Sequence, residues 1–281
     1  MNALEIAYLV CTALAGLFGT LFGSFLNVCI ARMPEDRSVV WPGSACPSCG
    51  SAIRPYDNVP VLAWFWLRGR CRDCKAPISS LYPTVEALVG VVAMLLFRHI
   101  VPDIADVDAA HLVAFVWYGW LVFALLGLTF IDLRHSIIPD GFSILMVPVG
   151  VGGAWLLGTL GYTHAPTWQQ AAVGALVGGA TLGGIAGAAY LWYRHEAMGL
   201  GDAKLFAMLG SFLGAIPALP FVLLIAATSG SLVGVSIALV RRTGLKMSLP
   251  FGPFIALGAL LWVFFGHGIT VRLAPWFLVG G

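Results

Sequence analysis

Long apolar runs alternate along this chain with a single extended polar insert. A membrane-spanning helix needs about 20 mostly apolar residues, and uncharged runs of that length stand out directly. Ile6 to Ile30 is one, and Leu112 to Ile131 is another. Between Asp140 and Arg194 there is no Asp, Glu, Lys or Arg, and the stretch holds two helices divided by the turn-rich Gly161-Tyr-Thr-His-Ala-Pro166. Leu205 to Val240 holds two more, broken at Pro217 and Pro220. Pro250 to Gly266 is a further run, and Thr84 to about Val101 is a weaker one that carries Glu86 and Arg98. The pattern predicts an all-α polytopic membrane protein with about eight transmembrane helices. Three parts follow: a first transmembrane helix over 1–30, an insert over 31–83 and a membrane domain over 84–281.

Composition agrees. Charged residues make up 10% of the 281 positions, against about 25% in soluble domains, and the mean hydropathy is +0.92. A water-soluble enzyme and a disordered chain are both excluded. The net charge of +2 gives no reason to expect nucleic acid as a partner, whereas membrane lipid is an expected one. The start, Met1-Asn-Ala-Leu-Glu5, lacks the basic segment of a signal peptide, so the first helix is expected to be retained. With the N-terminus outside, thirteen of the 15 Lys and Arg fall in inside loops, which leaves Arg98 and Arg272 outside. That asymmetry predicts a cytoplasmic insert. Gly174, Gly178, Gly179, Gly183, Gly184 and Gly187 stand at small-x-x-x-small spacing, a signal for close helix packing.

The insert holds four of the 6 cysteines, as Cys46-Pro-Ser-Cys49 and Cys71-Arg-Asp-Cys74. Each C-x-x-C turns two thiolates toward one point, and two such pairs complete a closed tetrahedral zinc site of the ribbon type. Iron held by the same thiolates is a competitor, as are two disulfides, although a reducing cytoplasm disfavours the latter. A site with no open position is expected to hold the insert together rather than to catalyse. Cys11 and Cys29 lie within the first span as small hydrophobes.

Ionisable residues at membrane depth are functional candidates. Asp132 ends the third span and Asp202 begins the sixth, in Gly199-Leu-Gly201-Asp202-Ala-Lys204. The topology puts both at cytoplasmic helix ends, the geometry of a carboxylate pair that shares one proton and activates water. Solvated helix-end charges are the plainer alternative. Gly199, Gly201 and Lys204 are the candidate substrate-binding residues: the glycines allow a substrate backbone to approach, and Lys204 otherwise holds a carboxylate ionised or snorkels. Glu86 either favours a helix start or belongs to a second site. His135 and His195 read as solvated histidines rather than ligands.

Together these residues resemble the bacterial type IV prepilin peptidases, membrane aspartic proteases of the G-x-G-D type that also act as N-methyltransferases in pilus assembly and type II secretion. The resemblance runs through Phe22-Gly-Ser-Phe-Leu-Asn-Val28 with Arg32 and Pro34, the two cysteine pairs, Tyr56-Asp-Asn-Val-Pro60, and Tyr82-Pro83 with Glu86. It continues through Asp132 to Asp140, Gly199 to Lys204 and Pro250-Phe-Gly-Pro253. It implies catalytic aspartates at Asp132 and Asp202, and a metal-binding domain at Cys46, Cys49, Cys71 and Cys74. It also implies prepilin or pseudopilin substrates cut after a glycine at the cytoplasmic face of the bacterial inner membrane. The new N-terminus, usually phenylalanine, would then be methylated from S-adenosylmethionine, with Glu86 as a cofactor-binding residue in the methyl-transfer region. Leu81 stands where members often have arginine. From the residues alone, a transporter with paired membrane aspartates and a zinc-stabilised docking insert is the second reading, and a non-catalytic secretion scaffold is the third. Paired acids at one face, without visible repeats, favour the enzyme.

Overall fold

The computed structural model describes residues 2–193, 199–241 and 249–278. Among these residues the chain is helical, with α1 (Ala3–Arg32), α2 (Leu62–Trp66), α3 (Leu81–Ile100), α4 (Ala109–His135) and α5 (Val147–Thr159) in its first part. α6 (Trp168–Tyr193), α7 (Leu200–Leu213), α8 (Ala218–Arg241) and α9 (Gly252–Leu278) follow. No sheet forms among the described residues. All the expected spans are present as apolar helices, and only the short α2 sits inside the insert. By length and composition, 6 helical stretches among the described residues can cross a membrane, and Gly252–Gly266 is a shorter apolar one. α7 has 14 residues.

Local chemistry sets the helix ends. Asn2 accepts the Glu5 amide at 2.7 Å while the Glu5 carboxylate accepts the Asn2 amide at 3.1 Å, a reciprocal cap that starts α1. α5 stops because Gly161 takes a φ of 78°. The Tyr162 and Gly161 amides then satisfy the carbonyls of Leu157 and Gly158, at 3.0 and 3.2 Å. α8 starts after Pro217, with Pro220 in its first turn, where a missing N–H leaves no partner unsatisfied.

Two compact units divide the chain, Met1–Phe115 and Val116–Gly281. In the first, α1 lies directly on α3. A Cβ on Gly19 would sit 2.8 Å from the Val89 carbonyl, and one on Gly23 would sit 2.7 Å from the Cα of Glu86, so only glycine permits this approach. Thr12 and Thr84 turn their hydroxyls back to carbonyls four residues earlier, at 2.8 Å each, which hides them within their helices.

The insert belongs to this unit and is built from two matching knuckles. In one, the Cys46 amide reaches the Ser51 carbonyl at 2.9 Å and the Gly50 amide reaches the Cys46 carbonyl at 2.8 Å. In the other, Cys71 bonds to Ala76 at 2.8 Å and Lys75 to Cys71 at 3.1 Å. Gly50 and Lys75 hold the same left-handed position, with φ of 73° and 60°. Arg72 grips Asp57 through two nitrogens, at 2.6 to 3.0 Å, and stacks over the Tyr56 ring. Its guanidinium holds the Asp57 carboxyl below the usual carboxylate range.

In the second unit, α6 and α7 pack backbone to backbone. A Cβ on Gly174 would strike the Gly210 backbone, and one on Gly178 would strike the Phe206 carbonyl. The expected packing role therefore holds at these two positions, and Gly179 touches Ala207. A Cβ on Gly184 or Gly187 would meet no described atom within 4 Å, so among the described residues no packing role shows there. Trp117 of α4 stacks on Phe212 of α7 with ring centres 4.9 Å apart and donates to the Val149 carbonyl at 3.0 Å.

The two glycine environments predict opposite responses. Gly178→Ala is expected to lower the unfolding midpoint in detergent by overpacking the α6–α7 contact, at a cost of about 1–3 kcal/mol. Gly184→Ala should leave it unchanged or raise it, because alanine is the better helix former by up to about 1 kcal/mol. Thermal melts of the two variants beside the parent protein check this.

Candidate active site

Three helix ends meet in the second unit. α4 delivers Asp132 at its C-terminal end, α7 delivers Asp202 in its first turn, and α9 begins at Gly252. Asp132 is only 5% exposed, and its Oδ2 accepts the Gly252 amide at 2.9 Å. A Cβ at Gly252 would lie 2.6 Å from that oxygen, so the contact requires glycine. Asp202 is half-buried and lies close enough for the Asp132 charge to act on its carboxyl. The two aspartates singled out in the sequence, 70 positions apart, thus come together.

Gly201 lies against Ile138, while Gly199 is exposed at the start of α7. Lys204 donates to Oδ1 of Asp140 at 2.6 Å, so the carboxylate it holds belongs to the segment after α4 and not to Asp202. His135 is exposed, as expected, and His195 lies outside the described residues. The Gly252 amide is the functional group that sequence reading missed. Its signal is Pro250-Phe-Gly-Pro253, where Pro253 in a first helical turn marks a helix start whose free N–H groups seek an anion.

The first unit carries the other candidate residues. The Sγ atoms of Cys46, Cys49, Cys71 and Cys74 all lie within 4.8 Å of one another, and Cys46 and Cys74 approach to 3.8 Å. A tetrahedron of 2.3 Å zinc–sulfur bonds has edges of about 3.8 Å, so the thiols have the shape of a zinc site. All six cysteines are free, which excludes the disulfide alternative in this structure. The Ser51 hydroxyl and amide pull the Cys49 thiol down to about 6. The amides of Cys74 and Asp73 lower that of Cys71. The Ala76 amide opposes the rise at Cys74, but burial and the neighbouring thiols push it up to about 12. The four thiols therefore share protons as one unit until a cation takes their place.

A cavity of about 690 Å³ is lined by Cys46, Cys71, Trp64, Tyr82, Ser24, Asn27 and Glu86 among others. Glu86 is 9% exposed, and its Oε2 accepts the Val61 amide at 2.6 Å. Val61 has a φ of 63° and the Leu62 amide returns to the Pro60 carbonyl at 2.6 Å, a strained γ-turn on a β-branched residue. Leu81, in the first turn of α3, does not line the cavity.

Comparison with known proteins matches this division. Residues 17–100 match the bacterial Peptidase A24 N-terminal domain, and residues 119–235 match the type IV leader peptidase family. A protein of Aeromonas hydrophila named prepilin leader peptidase/N-methyltransferase is 35% identical over 282 residues, covering 92% of each chain. One of Burkholderia pseudomallei with the same name is 35% identical, over 90% of this chain and 85% of its own. A type 4 prepilin-like proteins leader peptide-processing enzyme of Escherichia coli O78:H11 is 36% identical, over 89% of this chain and 93% of its own. No solved structure matches. None of these names supports a transporter. Two family domains in order and relatives aligned over nine-tenths of the sequence agree with the paired membrane aspartates, and this chain belongs to the type IV leader peptidase family.

Proposed function

We propose that this protein is a membrane aspartic endopeptidase that removes the leader of type IV prepilins or pseudopilins, and that it then methylates the new N-terminal amine. The observation that carries the first activity is the meeting of Asp132 and Asp202 where α4, α7 and α9 converge. An amide N–H can only donate, so Oδ2 of Asp132 is an acceptor, and in this reading the proton that the pair shares lies elsewhere. That proton sits on the other Asp132 oxygen or on Asp202. The charged carboxylate then takes a proton from water while the protonated one donates to the scissile carbonyl. Lys204, tied to Asp140, fixes the first turn of α7 that presents Asp202. Exposed Gly199 and Gly201 beside Ile138 leave room for an extended substrate backbone.

The basic-residue asymmetry supports a cytoplasmic insert, the side on which a leader with basic residues stays before export. Residues 31–83 then form a metal-binding domain between the first helix and a membrane domain over 84–281. Cys46, Cys49, Cys71 and Cys74 would hold one zinc ion, which contributes cross-linking rather than chemistry. S-adenosylmethionine would supply an electrophilic methyl group. The cavity above the first-unit helices fits such a molecule. It lies within the ~300–1,000 Å³ usual for cofactor sites and counts Trp64 and Tyr82 in its lining, two aromatic residues suited to a flat base. Because Leu81 is outside its wall, the departure there leaves the cavity intact.

Incubating the purified protein with a prepilin and weighing the product by mass spectrometry tests both activities, since leader loss and a gained methyl group read separately. Asp132→Asn and Asp202→Asn are each expected to reduce cleavage on the order of 10³-fold or more while metal content stays at the parent level. The double variant should be scarcely worse, because the two acids work as one unit. An active Asp202→Asn protein would refute the protease assignment. Cys46→Ser should drop bound zinc from about one equivalent per chain to less than about a tenth, as read by elemental analysis, and should make the insert sensitive to protease.

A further inference from the structure

We infer that Glu86 is the group that receives the α-ammonium of the cleaved pilin and takes its proton, so that the free amine attacks the methyl donor. This rests on the methyl-transfer reading above. A carboxylate at helix depth, nine-tenths buried, is costly without a countercharge. Among the described residues none supplies one: its partners are the Val61 amide, Ser24 and Asn27. The cations along the same cavity are engaged elsewhere. Arg32 donates to the carbonyls of Ser38, Pro42 and Gly43, Arg37 pairs with Glu35, and Arg72 grips Asp57. The other acid in the wall, Asp73, faces Arg54 at 3.7 Å. Cys46 and Cys71 belong to the thiol cluster, and Tyr82 lends its carbonyl to Asn27 at 3.1 Å. Glu86 is thus the one acid of the wall, among the described residues, left for an incoming cation.

Position selects which cation. The cavity is lined by residues of the insert, Cys46 and Cys71 among them, and by Ser24, Asn27 and Glu86 of the two helices. A water-soluble methyl donor enters from the insert, whereas the amine of a pilin whose body lies in the membrane arrives among the helices. An α-amino group has a pKa of about 8, so near neutral pH it is mostly an ammonium and has no lone pair for attack. In the proposed step the proton passes from nitrogen to a Glu86 oxygen. The nitrogen lone pair then forms the N–CH₃ bond, the S–CH₃ bond breaks, and its electron pair stays on sulfur, leaving a neutral thioether and a methylated ammonium. Val61 explains how the acid is held: its strained turn presents an N–H to Oε2 and fixes the carboxylate in the wall of the cavity.

The test uses the full-length zinc-loaded protein in detergent, S-adenosylmethionine and a pre-cleaved peptide beginning with phenylalanine. Glu86→Gln keeps an oxygen for the Val61 amide but cannot take a proton. At pH 7, where only about a tenth of such an amine is neutral, its methyl transfer is expected to fall about tenfold, with leader cleavage, zinc content and affinity for S-adenosylhomocysteine unchanged. Above about pH 9 the peptide amine is mostly neutral, and the gap to the parent should close to less than about twofold. Glu86→Asp keeps a carboxylate and should keep the parent pH profile at a lower rate. A defect equal at both pH values, weakened S-adenosylhomocysteine binding, or an Asp profile as steep as that of Gln would overturn the role. A parent protein that cleaves but never methylates would remove the methyl-transfer reading and this inference with it.

Discussion

An acid held at helix depth must be given a hydrogen-bond donor, and much of this structure follows from that requirement. Asp132 and Glu86 sit in different units and on different helices, yet each is met by one backbone amide from a distant segment, Gly252 and Val61. Backbone donors suit this task, because an N–H adds no charge of its own to the membrane and cannot rotate away. Each supply has a local cost. α9 must start on a residue without a Cβ, and the Pro60–Val61–Leu62 segment must hold a turn that valine avoids elsewhere. Strain and glycine thus appear where the acids need partners.

Holding such contacts to within a few tenths of an ångström requires helices that do not shift. Lipid tails are as apolar as leucine, so burial alone does not press membrane helices together, and close van der Waals contact has to do it. Both units use the same device, a seam where glycine removes the side chain between two backbones: Gly19 and Gly23 under α3, Gly174 and Gly178 under α7. The α7 seam continues directly into the turn bearing Asp202, and the α1 seam ends at Glu86. Both seams therefore lead to the residues proposed to carry the chemistry.

What was legible in the sequence was whatever has a short-range signature. Helix breaks at Gly161 and Pro217, paired cysteines at fixed spacing, and charges interrupting apolar runs are all local, and each is found where the pattern put it. The α6 glycines were legible as a group but not individually. Facing depends on helix rotation, and Gly184 and Gly187 face no partner among the described residues. Length was harder to judge, since an uncharged run from 205 to 240 does not announce that its first helix stops at Leu213. Least visible were partnerships across the chain. Nothing near Lys204 names Asp140, nothing near Asp132 names an amide 120 positions away, and no propensity predicts positive φ at Val61.

The shortness of α7 has a further consequence for the lipid around it. At 1.5 Å per residue its 14 residues extend about 21 Å, roughly 9 Å less than a bilayer's hydrocarbon core. Such hydrophobic mismatch is relieved by local thinning of the membrane or by an inward dip of the water boundary, at a cost that grows with each ångström. Asp202 occupies the first turn of that helix, so the deformation falls where the proposed mechanism consumes a water molecule. Acyl-chain length thereby becomes a parameter of the reaction, with thicker bilayers drawing hydrocarbon over the aspartates and thinner ones leaving them wet.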